Sequence, residues 1–171
     1  MIRFSHAICL IAALGAAACT SPDQFGGDDN LVDLNDQAGL TGLEDAADPS
    51  SPAYFQQTVG DRVLFLVDQS TLTPDARQTV LAQANWLRAN PDYNVVVEGH
   101  ADEQGTREYN LALGARRASA VQQFLISQGV EAGRVRTLTY GKERPISICS
   151  EESCYAQNRR AVTVISAGGL S

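Results

Sequence analysis

Beyond residue 57 the apolar positions fall into short blocks with distinct periods. "RVLFLV" (62–67) is an apolar run of strand length. "TLTPDARQTVLAQANWLRANP" carries helix signals: Thr73 suits the N-cap, Pro74 the first helical position and Asp75 the first turn. Val80, Ala84 and Leu87 form the apolar stripe of that helix, and Pro91 stands beyond its end. "YNVVVEGH" (93–100) is rich in β-branched residues and reads as a strand. A second helix is expected from about Asn110 to Gln128, with Leu113, Ala118, Val121 and Leu125 at helical spacing and Gly129 suited to a left-handed cap. "RVRTLTYG" (134–141) is a third strand, "KERPISICSEESC" a loop, and "RRAVTVIS" (159–166) a last strand. The order β-α-β-α-β-β predicts an α+β domain, residues 58–171, with helices packed on one mixed sheet.

The region before this domain has no such periods. Met1-Ile2-Arg3 gives a short positive start, and "AICLIAALGAAAC" follows as an apolar run too short to span a bilayer comfortably. Residues 1–18 therefore read as a signal peptide, closing on Ala16-Ala17-Ala18 before Cys19. Small residues directly before a cysteine resemble the lipobox of bacterial lipoproteins, although Ala16 stands where those usually have Leu. The resemblance implies that Cys19 carries the lipid and that the protein is anchored to a membrane rather than spanning it.

Charge sharpens the division. The formal net charge is −7, yet no Lys or Arg lies between Arg3 and Arg62, and eight of the 20 acidic residues fall before residue 58. Removing those eight and Arg3 leaves equal numbers of acidic and basic residues in the domain, so the acidity belongs to a tether. Residues 20–57 are accordingly expected to be a disordered linker, about 34 Å end to end as a flexible coil. Of the four cysteines, Cys9 leaves with the signal and Cys19 takes the lipid, leaving Cys149 and Cys154 as a pair in "ICSEESC". An exported location permits a disulfide there.

The candidate chemistry lies in "EGHADEQGTREYN" (98–110). Arg117 falls on the core-facing stripe of the second helix, between Leu113 and Val121, so it must snorkel or find an anion. Asp102 lies within plausible reach. The two acting together would form a pocket for a zwitterion, Asp102 taking an ammonium and Arg117 a carboxylate. A purely structural Asp102–Arg117 pair fits the spacing equally well. His100 and Asp102 make a weak metal motif, because the only other histidine, His6, is in the signal peptide. The adjacent carboxylates Asp102 and Glu103 are poorly placed to flank a substrate, and no nucleophile elbow or phosphate loop is present. No cofactor is implied, and no basic patch with interleaved aromatics points to nucleic acid. Arg159 and Arg160 would be sent to opposite faces by strand alternation and read as a charge-paired strand edge. A wall-modifying enzyme using His100, Asp102 and Glu103, or a module that mainly binds a protein partner, stand as alternatives to a binding pocket.

"VEGHADEQGTREYNLALGARRASAVQQFLISQGV", "RVRTLTYGKERP" and "AQNRRAVTV" together resemble the OmpA-like peptidoglycan-binding domain family, over about residues 60–166. "EYNLALG" and "YGKERP" bring the resemblance closer to the peptidoglycan-associated lipoproteins of the Tol-Pal system. It implies a non-enzymatic protein of the outer membrane whose domain faces the periplasm, binds peptidoglycan, and supports envelope integrity and constriction during cell division. Asp102 and Arg117 match the family residues that hold the diaminopimelate of the peptide stem, with Asp68, Glu103, Thr106 and Asn110 completing the set. Asn110 and Arg159 match the family's Asn and Asn-Arg-Arg motifs, whereas Val67 replaces an aromatic common beside the aspartate at 68. TolB and TolA are the partners implied, TolB competing for the same face.

Overall fold

A computed structural model describes residues 46–167. The signal peptide, Cys19 and the linker as far as residue 45 lie outside the described residues. The chain enters through a short helix α1 (Pro52–Tyr54), which runs into a π-helical turn, Phe55–Gly60. Then follow β1 (Arg62–Leu64), α2 (Pro74–Ala89), β2 (Tyr93–His100), α3 (Arg107–Ser127), a 3-10 turn at Ala132–Arg134, β3 (Val135–Gly141), α4 (Glu152–Asn158) and β4 (Arg160–Ala167).

The strands form one mixed sheet in the order β1-β4-β2-β3. β4 pairs antiparallel with both β1 and β2, and β2 pairs parallel with β3 across the α3 connection. The expected fold class is thereby observed. Val95 and Val97 of β2 alternate toward the helices, where they meet Val80, Ala84 and Leu87 of α2 and Ala118, Val121 and Leu125 of α3. The other face is left to solvent: Leu138 and Val164 are exposed.

Local signals account for the helix boundaries. Thr73 caps α2, its side chain accepting from the Ala76 amide, with Pro74 and Asp75 in the first turn as expected. α3 starts at Arg107 rather than near Asn110, because Thr106 accepts from the Tyr109 amide and caps a first turn that has no apolar period. β1 is shorter than the apolar run 62–67: beyond Leu64 the Phe65 amide bonds to the Arg159 carbonyl, and the chain then turns at Val67–Asp68. The segment expected to be loop through Cys154 includes the start of α4.

The tether is shorter at its domain end than its composition suggests. Residues 49–57 are not free linker: the Pro49 carbonyl accepts from Trp86 Nε1 at 2.7 Å, and Phe55 is fully buried with its ring 4.9 Å from that of Trp86. Two adjacent aromatics, Tyr54 and Phe55, hold this strap to the core without leaving a period to read.

Two glycines set the distance between the helix layer and the sheet. A Cβ on Gly99 of β2 would lie 1.9 Å from the Gly114 carbonyl oxygen of α3, and one on Gly114 would lie 2.8 Å from the Gly99 carbonyl oxygen. The two backbones therefore touch, and this contact brings the end of β2 against the first half of α3. Gly99→Ala is expected to destabilise the domain by about 3 kcal/mol or more, because the obstacle is backbone and cannot swing aside. Gly133→Ala, where a new Cβ meets nothing within 4 Å, is expected to stay within about 0.5 kcal/mol of wild type. Urea unfolding of the two variants side by side checks this.

Candidate functional site

The site is built where β2 ends and α3 begins. The Ala101 amide bonds to the Gly141 carbonyl at 2.8 Å, holding the start of the loop 101–106 to the end of β3. Asp102 Oδ1 then accepts from the Gln104 amide at 3.3 Å, an Asx-type turn, and Gly105 supplies a left-handed residue at φ +91°. Asn110, one turn into α3, reaches back and donates from Nδ2 to the Gln104 carbonyl at 2.7 Å. It is only 1% exposed, and its Oδ1 has no hydrogen-bond partner.

Arg117 is 0% exposed, the largest fully buried side chain among the described residues. It neither snorkels nor forms the expected direct pair with Asp102. Nε donates to the Gln69 carbonyl (2.9 Å), Nη1 to the His100 carbonyl (2.9 Å) and Nη2 to the Leu66 carbonyl (3.1 Å), with the guanidinium 5.4 Å from the Phe65 ring centroid. Three of five N–H donors are thus committed to main chain, and two remain. Burial pulls its pKa down to about 10, opposed by the charges of Asp102 and Asp68 and assisted by Arg159. It stays protonated at neutral pH.

The ion pair of Asp102 is with Arg159. Nη1 of that arginine donates to Asp102 Oδ2 at 3.2 Å, Nε donates to the Phe65 carbonyl, and both terminal nitrogens engage the carboxylate of Glu152 on α4. Burial opposes the charge of Arg159, but its bonds to Glu152 and Asp102 outweigh that and raise its pKa. The strand-edge reading of Arg159 and Arg160 is therefore corrected: both are buried. Arg159 precedes β4, at φ −75°, ψ 80°, so strand alternation does not govern it. Arg160 donates to the Asn158 and Arg144 carbonyls.

The remaining residues divide by role. Asp68 sits exposed at left-handed φ 54° and accepts from the Tyr109 hydroxyl at 3.3 Å, which places the 67–68 turn beside the first turn of α3. Thr106 commits its hydroxyl to the helix cap. Glu103 faces outward, with its carbonyl accepting from Lys142 Nζ and its carboxylate 3.5 Å from Ser150 Oγ. His100 is buried and stacked on Tyr140, and neither ring nitrogen has a hydrogen-bond partner. Burial, helped by Arg160 and Arg144, lowers its pKa to about 4, so it is neutral at pH 7. Among the described residues no group of three or more His, Cys, Asp or Glu could hold a metal ion. Cys149 and Cys154 are joined in a disulfide.

Asp68, Asp102, Asn110, Arg117 and Arg159 thus converge from three loops and one helix, and they carry two positive and two negative charges. Residues 64–159 match the model described as "OmpA family". The chain belongs to the OmpA family. A relative named peptidoglycan-associated lipoprotein from Agrobacterium fabrum is 48% identical, the match covering 99% of this chain and 92% of that one. Another of that name from Haemophilus influenzae is 38% identical over 95% of this chain and 98% of its own. The crystal structure of the peptidoglycan-associated lipoprotein from Burkholderia pseudomallei superposes with a TM-score of 0.63 at 34% identity, covering 71% of this chain and 98% of that one. The C-terminal domain of Helicobacter pylori MotB, at 21% identity and TM-score 0.59, shares the fold.

Within this OmpA-family domain the neutral state of His100 has a measurable consequence. Its folded pKa lies below its ordinary value near 6.5, so between about pH 6.5 and 4 the unfolded chain binds the extra proton. Stability contributed by His100 is present above pH 6.5 and is lost as pH falls toward 4, by up to about 3 kcal/mol. His100→Gln is expected to flatten that part of the pH dependence in urea unfolding series.

Proposed function

We propose that this domain binds peptidoglycan without cleaving it and that the ligand group it grips is the diaminopimelate of the peptide stem. The observation that carries the reading is a buried, protonated Arg117 with two uncommitted N–H donors, set in a loop cluster that also holds Asp102. A zwitterionic amino-acid group needs an arginine for its carboxylate and an aspartate for its ammonium, and the loop amides of residues 102–106 add neutral donors. Asp68 stands exposed beside the cluster, and Asn110 is buried within it with a spare acceptor oxygen. Relatives 48% and 49% identical carry the name peptidoglycan-associated lipoprotein, which supports peptidoglycan as the ligand.

In this reading Cys19 carries the lipid that anchors the protein in the outer membrane, the acidic linker tethers, and the domain faces the periplasm. The protein then joins membrane to wall within the Tol-Pal system and supports the envelope during cell division. TolB and TolA are its partners by family resemblance, TolB competing with the wall for the face around Asp68 and Asp102. An enzymatic use of His100, Asp102 and Glu103 is disfavoured, since His100 is buried and neutral and the Glu103 carboxylate lies against Ser150 Oγ.

Purified domain mixed with isolated sacculi gives the test. Asp102→Asn and Arg117→Lys are each expected to lower the pelleted fraction, with affinity about ten- to a hundredfold weaker, the loss of a charge-assisted hydrogen bond. Circular dichroism identifies any variant that has lost its fold. Undiminished pelleting of both folded variants would refute the assignment, and release of soluble muropeptides would favour an enzyme.

A further inference from the structure

Arg159 is shared between two carboxylates of unlike character. Asp102 is buried in the loop cluster, whereas the Glu152 side chain is 67% exposed at the start of α4. Glu152 and Arg159 stand at the two ends of α4, and the segment before that helix is closed upon itself. The Cys149–Cys154 disulfide bridges the N-terminal end of α4. At the other end of α4, Asn158 accepts from the Ile146 and Ser147 amides and donates to the Ser147 carbonyl. Ser150, inside the disulfide loop, lies 3.5 Å from the Glu103 carboxylate. The loop is therefore attached to the Asp102–Glu103 turn at two points, through Ser150 and through Glu152 by way of Arg159. Neither attachment involves Arg117.

Resting on the peptidoglycan-stem reading of the pocket, we propose that Glu152, held in place by the disulfide-closed loop 149–154, is a positioning residue that sets how strongly the pocket attracts an ammonium group. One guanidinium facing one carboxylate makes a neutral pair, and a neutral pair attracts an ammonium weakly. Facing two carboxylates, the same guanidinium leaves a net negative charge, and Asp102 keeps lone-pair capacity beyond its single bond from Arg159. Glu152 also pulls both terminal nitrogens of Arg159 toward α4, so that Asp102 receives only Nη1. Removing the Glu152 charge lets Arg159 close on Asp102 and neutralise it. Opening the loop does the same by releasing Glu152 into solvent.

The test measures binding of a diaminopimelate-containing stem tripeptide and of the same peptide with its free side-chain amine acetylated, by calorimetry on the folded domain. Wild type is expected to prefer the free amine. Glu152→Gln, and separately Cys149→Ser/Cys154→Ser, are expected to bind the free-amine peptide about two- to fivefold more weakly, as befits a largely exposed charge. Neither change should alter binding of the acetylated peptide, so the preference itself shrinks. Combining the substitutions should add nothing, because both act through one carboxylate. Loss of affinity for both peptides in equal proportion would make the loop merely structural and overturn the proposal. So would wild-type preference in Glu152→Gln, provided Asp102→Asn still weakens binding. If Asp102→Asn binds like wild type, the pocket assignment falls instead, and the role of Glu152 falls with it.

Discussion

Burying an arginine guanidinium is unfavourable by several kcal/mol unless its donors are met, and the fold meets three of the five of Arg117 with main-chain carbonyls from two separate segments. Leu66 and Gln69 come from the turn after β1, and His100 from the end of β2. These segments lie far apart in the chain. The arginine turns a charge problem into a geometric constraint: wherever Arg117 is satisfied, Asp68 and Asp102 are brought to one place. Carbonyl partners neutralise no charge, so a positive charge is left over at the centre of the cluster.

The approach that makes this possible is glycine on glycine. Gly99 and Gly114 let β2 and α3 touch by backbone, so that Arg117, about one turn further along α3, reaches the first loop residues beyond the strand. Around this centre a second arginine fixes the periphery. Arg159 ties Asp102 to Glu152 and to the Phe65 carbonyl, linking the loop after β2, the end of β1 and α4. The domain thus spends two buried arginines on holding its loops, and the same two supply the positive charge of the site.

Much of this is legible in the amino-acid sequence. β2, β3 and the bodies of α2 and α3 follow from periods and caps that act within a few residues. Arg117 is conspicuous because a charge on an apolar stripe needs an explanation, and Asp102 is marked by its place in the loop. What the local pattern misses depends on contacts remote in sequence. The end of β1 is decided by Arg117's hold on the Leu66 and Gln69 carbonyls, which no local pattern encodes. The strap at 49–57 is fixed by Phe55 and the Pro49 carbonyl against Trp86. The true partner of Asp102 lies 57 residues away at Arg159, and period-two reasoning misplaces it because it stands just outside the strand. The family motif does point to Arg159, whereas alternation alone reads it as surface.

The most direct measurement is chemical-shift mapping of the folded domain titrated with a diaminopimelate-containing muropeptide. The expected result is saturable shifts concentrated at residues 66–69 and 100–110, at the Nε–H of Arg117 and at the side chain of Arg159. Saturable shifts confined elsewhere, such as the exposed sheet face around Leu138 and Val164, or no shifts at all, would contradict the account.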